Sequence, residues 1–309
     1  MDHLRISLFG CMRVNNASEQ EIRLTHGSQV LLAYLLLYRH RAHPREVLAN
    51  LLWGEFEQDR ARKSLNTTVW RLRTAMNDSV HEPDDAYIVS TSLGELEFNP
   101  QSHYWLDVQA FEQPVQHILS KALPIVTTEE ITSLDQCAQL YQGDLLEGFY
   151  QEWVLQERER LRCLYLACLY YLMQYYHCQG ESEKGLVYGL KILHLEPLRE
   201  EVHREVMRLY LAGGQRALAI RQYELCCQVL ASELGILPMP ETQSLYLQIK
   251  DFSSLHSPSV QIPPASPENL SLALHQLHLV MQSFDRAHKD LERAAQVVEN
   301  LALHQEHRG

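Results

Sequence analysis

The stretch Arg60–Met76, RARKSLNTTVWRLRTAM, carries five basic residues and no acid, inside a 309-residue chain whose formal net charge is −12. Turned at 100° per residue, Ala61, Leu65, Val69, Leu72 and Met76 fall within about 40° of one line, the apolar stripe of a helix that lies on a core. The opposite face carries Arg60, Lys63, Thr67, Trp70, Arg71 and Thr74, with Asn66 and Arg73 on one flank. Cations neutralise phosphates, and Asn, Thr and Arg reach base edges in a major groove. Lys63, Arg71 and Arg73 are therefore assigned to phosphates, and Asn66 and Thr67 to base edges. Trp70 fits least well, because a large indole is more often packed than exposed. Any amphipathic surface helix has a charged outer face, so the flanking sequence has to decide between plain solvation and recognition.

Upstream, Gln29–Tyr38 is a strongly apolar helix with Thr25 placed to cap it, and Pro44–Leu52 reads as a short helix with Pro at its first turn. Three helices joined by short polar connections make a helix-turn-helix unit whose third helix is the exposed one. Downstream, Tyr87–Thr91 and Glu95–Asn99 alternate around a turn containing Gly94, which predicts a hairpin wing. At the front, Leu4–Phe9 and Glu21–Leu24 alternate as half-buried strands do, with Asn15 and Asn16 supplying the turn between them.

This order, and the segments LRISLFGCMRV, LLWGEFEQDRARKSLNTTVWRLRTAM and YWLDVQAFE, resemble the OmpR-type winged helix of the Streptomyces antibiotic regulatory protein family of transcriptional activators. Further on, YQGDLLEGFY (141–150), Trp153 with QERER (156–160), EPLRE (196–200) and ELGILPMPET (233–242) resemble the bacterial transcriptional activator domain that follows the winged helix in that family. The resemblance implies a mechanism: two copies side by side on promoter direct repeats, touching RNA polymerase and its sigma factor. The candidate DNA-binding residues, read from the outer face of the helix, are Arg60, Lys63, Asn66, Thr67, Trp70, Arg71, Arg73 and Thr74.

The residues of the second region point the same way on their own. Glu152–Ile249 reads as helices broken by Gly180, Pro197, Gly213–Gly214 and Pro238. An offset of 34 residues, the tetratricopeptide period, pairs Gly180 with Gly214, Gly185 with Ala219 and Ile192 with Cys226. The match breaks where Gly189 falls opposite Tyr223 and Pro197 opposite Ala231, so a short array of helical hairpins is expected rather than a long solenoid.

The expected fold is thus mostly α: a winged helix-turn-helix (α+β) over 1–105, a tetratricopeptide-like all-α domain over 106–252, a Ser- and Pro-rich linker at 253–267, and a long helix at 268–306. Two modest cores would meet near residue 106. In the last helix Leu270, Leu274, Leu277, Met281, Phe284, His288, Leu291, Ala295, Val298 and Ala302 alternate at spacings of four and three, a coiled-coil pattern. Such a stripe either pairs with a second copy, making a homodimer, or folds back on the helical domain.

Composition narrows the function classes. Residues 1–111 hold 11 Lys and Arg against 14 Asp and Glu, yet counterion release depends on the charges set against phosphate rather than on the total. The longest uncharged apolar run, Cys163–Tyr176, is too short to span a bilayer, and Met1–Arg5 is followed by no signal-peptide core. A cytoplasmic protein with no membrane partner is expected, its seven cysteines reduced. There is no phosphate-loop, G-x-S-x-G or H-E-x-x-H motif; Gly185–Lys191 only echoes a phosphate loop within a helix. The pairs His275/His278 and His304/His307 share helix faces, but neither has a nearby Cys. No enzyme, cofactor or metal is expected. The rival reading is a cytoplasmic scaffold whose winged helix serves as a protein-contact module.

Overall fold

Leu4 and Ile6 are buried and Arg5 between them is exposed, the alternation of a strand with one face on a core. This strand, β1 (Leu4–Ser7), lies in the middle of a three-stranded sheet in the computed structural model, which describes residues 4–77 and 86–251. It runs antiparallel to β2 (Arg13–Asn15), with Ile6 opposite Val14, and parallel to a later strand, Tyr104–Leu106, with Arg5 opposite Trp105. The Arg5 guanidinium covers the Trp105 ring at 4.5 Å.

The second strand is therefore Arg13–Asn15 and not Glu21–Leu24. Gly10 turns the chain at φ +74°, and Asn16 turns it again, its Oδ1 accepting from the amides of Ser18 and Gln20. Glu21 meets Asn15 at a single bridge, too little pairing to continue a strand. The alternation at 21–24 was real, but two turns leave only one residue of it in register.

Helix α1 (His26–Leu37) follows Thr25, whose hydroxyl meets that of Ser28 instead of a backbone amide. Val30 to Leu36 are all buried, so α1 is the central helix, apolar on every side. Pro44 starts α2 (Arg45–Trp53), and α3 (Gln58–Asn77) follows. Strands β3 (Ile88–Ser90) and β4 (Leu96–Phe98) pair antiparallel through a turn in which Gly94 adopts φ +80°. Backbone bonds in both directions between His43 and Leu96 tie this hairpin to the α1–α2 loop. The strand Tyr104–Leu106 is β5.

The remainder is helical: α4 (Asp107–Leu119), α5 (Thr128–Leu140), α6 (Glu152–Cys178), α7 (Ser182–Leu195), α8 (Glu200–Ala212), α9 (Arg216–Leu234) and α10 (Pro240–Asp251). Thr127 and Glu130 close a capping box at the start of α5. The 34-residue offset has a structural meaning. Gly180 and Gly214 both sit at positive φ where a helix ends, and Ile192 and Cys226 are both fully buried. Gly189, the position that breaks the repeat, lies where α7 packs tightly against α6 and α8. A Cβ there would stand 2.6 Å from Cγ2 of Val206 and 2.9 Å from Sδ of Met173.

The two separate cores expected from the sequence are not what the described residues form. One buried cluster runs from Leu4 in β1 to Leu209 in α8, and a small second one gathers Met207, Ala219 and Ile249. The residues that join the winged helix to the helical stack are those of the quoted motifs. Leu8 and Gly10 exchange backbone bonds with Asp144, Leu146 and Glu147 of YQGDLLEGFY. Trp153 presents its ring to Tyr34 of α1, edge to face at 5.2 Å. Asp107, the first residue of α4, accepts from the amides of Leu8 (2.7 Å), Phe9 (2.9 Å) and Val108 (2.7 Å). Burial nevertheless pushes its carboxyl up to about 6, the three amides opposing that rise.

The linker 253–267, the amphipathic helix at 268–306 and both histidine pairs lie outside the described residues.

Candidate nucleic-acid interface

Ala61, Leu65, Val69, Leu72 and Met76 of α3 are all buried, which leaves the opposite face of the helix at the surface. Arg60, Lys63, Asn66, Thr67, Trp70, Arg71 and Thr74 are exposed there, and Arg73 is half-buried. Trp70 is 66% exposed, against the usual habit of an indole. It sets one large apolar ring among the exposed cations of the face.

The side chains are not equally free. Thr67 donates its hydroxyl to the Lys63 carbonyl and Thr74 to the Trp70 carbonyl, each at 2.9 Å. Both therefore present a methyl and oxygen lone pairs rather than a donor. The Arg60 guanidinium stacks over Phe56 at 4.5 Å. Arg62, outside the candidate set, pairs with Glu46 of α2. Among the described residues, Lys63 and Arg71 meet no carboxylate, which leaves them the freest cations of the face.

Arg73 differs from its sequence assignment. Its Nε donates to the Ile88 carbonyl (3.1 Å) and one Nη to the Ser90 hydroxyl (3.0 Å). Burial, and then the charge of Arg45, hold its pKa below the usual guanidinium value. This guanidinium fastens the wing to α3. The same interaction places β3 alongside the C-terminal half of α3.

Arg45 was absent from the sequence-derived set. Its Nε donates to the Gly94 carbonyl in the wing turn (2.9 Å), one Nη to Oδ1 of Asn66 (3.0 Å) and the other to the Ser90 hydroxyl (3.2 Å). One guanidinium thus joins α2, α3 and the wing. Its partners lie 21, 45 and 49 residues away, so no local spacing could have revealed it.

In the helical region, the separated motifs EPLRE and ELGILPMPET meet. Glu200, buried at the start of α8, accepts from the Met239 amide (2.6 Å) and the Thr242 hydroxyl (2.5 Å), anchoring α10 by its first turn. His203 is buried beside them. Its Nε2 donates to the Pro197 carbonyl (2.9 Å), and its Nδ1 accepts from Gln222 (2.7 Å). Burial holds its pKa below the usual imidazole value, which keeps this tautomer neutral. Among the described residues no three His, Cys, Asp or Glu side chains gather as a metal site, and no helix is long and apolar enough to cross a membrane.

Three helices with the third exposed, followed by a β-hairpin fastened beside it, define a winged helix-turn-helix, here continuous with an all-α stack. Residues 19–92 match the family described as "Transcriptional regulatory protein, C terminal", and residues 106–250 match the "Bacterial transcriptional activator domain". The chain is a non-enzymatic transcriptional regulator with a DNA-binding OmpR-type winged helix and a bacterial transcriptional activator domain, distantly homologous to AfsR and MoaR1. It is 23% identical to the transcriptional regulatory protein MoaR1 of Mycobacterium tuberculosis over 237 residues, 73% of this chain and 72% of that protein. It is 25% identical to the regulatory protein AfsR of Streptomyces griseus over 254 residues, 80% of this chain but only 24% of that longer protein. Its fold is similar to that of Mycobacterium tuberculosis EmbR, solved in complex with a low-affinity phosphopeptide: TM-score 0.63 at 17% identity, covering 91% of this chain and 72% of EmbR.

Proposed function

We propose that this regulator is a sequence-specific activator that binds direct repeats in a promoter and recruits RNA polymerase. The observation that carries the reading is the outer face of α3. It holds free cations at Lys63 and Arg71, an exposed Trp70, and Asn66 and Thr67 between them, with the wing fastened alongside. Lys63 and Arg71 meet phosphates, Asn66 and Thr67 read base edges, and Trp70 lies against an apolar edge such as a thymine methyl. Arg60 and Thr74 flank this surface at its two ends. The domains proposed are the winged helix to residue 105 and the activator domain from 106 to 252. The activator domain supplies the contact to polymerase and its sigma factor, as the resemblance implies. Two copies occupy the repeats, and the heptad pattern read in the sequence of 268–306 supports their pairing.

Recovery and sequencing of the genomic DNA held by the full chain tests the first half. A shared repeated sequence is expected, with affinity falling steeply with salt because each neutralised phosphate releases counterions. Affinity independent of salt would leave a protein-contact scaffold instead. Transcription from the recovered promoter with purified polymerase tests the second half, and an unchanged transcript yield would reject recruitment. Sedimentation over a hundredfold concentration range tests the pairing, a single monomeric species rejecting it.

A further inference from the structure

We propose that Arg45 is a specificity-determining positioning residue, which locks Asn66 as a hydrogen-bond donor and so makes the recognition helix read guanine, not adenine, at the base pair facing Asn66. This rests on the reading of α3 as the helix that enters the major groove.

The argument starts from the inventory of donors. Arginine has five N–H groups and no acceptor, so the Asn66 atom facing its Nη at 3.0 Å is the carbonyl oxygen Oδ1. The orientation of that amide is therefore dictated by its partner. Arg45 is itself immobilised, because its Nε and other Nη are held by the Gly94 carbonyl and the Ser90 hydroxyl of the wing. A planar fork held at all three nitrogens has little freedom to release one of them. The Ser90 hydroxyl accepts from Arg73 as well, so the wing, α2 and α3 form one braced unit. What Asn66 then offers to the outside is its Nδ2, with two hydrogens that no described residue accepts.

An amide turned to lead with its donor discriminates among base edges. Asparagine reads adenine through both its atoms, Nδ2 donating to N7 and Oδ1 accepting from the N6 amino group. A carbonyl oxygen keeps a second lone pair, so the discrimination lies in orientation: an amide whose Oδ1 is turned to Arg45 leads with Nδ2, and the adenine N6 would face that nitrogen. Cytosine presents only a donor in the groove and is rejected. Guanine presents two adjacent acceptors, N7 and O6, either of which takes a hydrogen from Nδ2 with no donor beside it. Thymine offers O4 alone and ranks below it.

Selection of binding sites by the full chain from a randomised duplex library reads this out directly. The position in question is the one whose preference Asn66→Ala abolishes, and the wild type should show guanine there. Arg45→Met frees Oδ1, so the preference at that one position should pass to adenine, with a change in the guanine-to-adenine ratio of about ten-fold or more. Loss of the wing contacts will lower the affinity of that variant for every sequence, which is why base identity is the quantity measured. Should Arg45→Met fail to fold, Asn66→Asp serves with Arg45 intact: an acceptor-only side chain should select cytosine. Any base other than guanine in the wild type overturns the assignment, and so does guanine persisting in Arg45→Met or in Asn66→Asp. Full wild-type selectivity in Asn66→Ala overturns it too while leaving the protein a DNA reader. A wild type that selects no sequence at all instead refutes the functional reading beneath it.

Discussion

Replacing Asp107 with Asn tests how the winged helix is joined to the helical stack. The Asp107 carboxylate is buried and receives three backbone amides, two from Leu8 and Phe9 just after β1 and one from α4. Burial dominates, and the folded-state pKa stands at about 6 against 3.8 for the free group. The folded protein thus binds this proton more tightly than the unfolded chain. Its contribution to stability is fully present below about pH 4 and is lost as pH rises through about 6. A shift of this size corresponds to about 3 kcal/mol, on the order of what ionising the group removes. Asparagine cannot titrate, and its amide serves either the Leu8 and Phe9 amides or that of Val108, not both. One orphaned amide costs about 1–3 kcal/mol. Urea denaturation of both proteins between pH 4 and 7.5 should therefore show the wild type losing its advantage over Asp107→Asn as pH rises, by about 2–3 kcal/mol over the window. Taking the difference cancels the buried His43 and His203, whose lowered pKa values act oppositely, removing stability as pH falls. A difference that stays constant across the window, or an Asp107 carboxyl that titrates below pH 4 by NMR, would refute the reasoning.

Leu169 on α6 is fully buried, so Leu169→Ala should lower stability by about 2–5 kcal/mol; an unchanged melting temperature contradicts its place in the core. Gly189→Val should destabilise by about 1–3 kcal/mol or more through overpacking, since even the first added carbon meets Val206 and Met173; a thermal melt matching wild type would show that α7 can move away. Arg73→Ala and Lys63→Ala should part in their salt dependence. Lys63→Ala should flatten the slope of log affinity against log salt by about one, whereas Arg73→Ala should weaken binding to all sequences with the slope unchanged, because its guanidinium holds the wing. A flattened slope for Arg73→Ala would return it to the phosphates.

The periodic features were legible because periodicity is a local property. The stripe of α3 from Ala61 to Met76 was read from five residues at helical spacing, and all five are buried. The breaks at Gly180, Pro197 and Gly213–Gly214 fall between helices, since a residue that cannot continue a helix says so wherever it stands. Two short strands escaped such reading: β5 has too few residues for alternation to register, and β2 was misplaced because the Gly10 turn precedes the one at Asn16. Trp70 was located on the outer face by angle alone, while its exposure, contrary to its hydrophobicity, was visible only in the fold.

Side-chain commitments are of another kind. The sequence by itself determined which residues of α3 face outward, because a helix of fixed pitch converts spacing into direction. It also determined, through its separated motifs, the class of protein. Only the tertiary structure decided which of those outward groups are free. Arg73 belongs to the wing, Asn66 has its oxygen held by Arg45, and the motifs around Asp107, Asp144 and Trp153 fuse the two expected cores into one. Each of these rests on a hydrogen bond or ring contact between residues remote in the chain, and such a pairing is set by where the backbone returns, which no local spacing records.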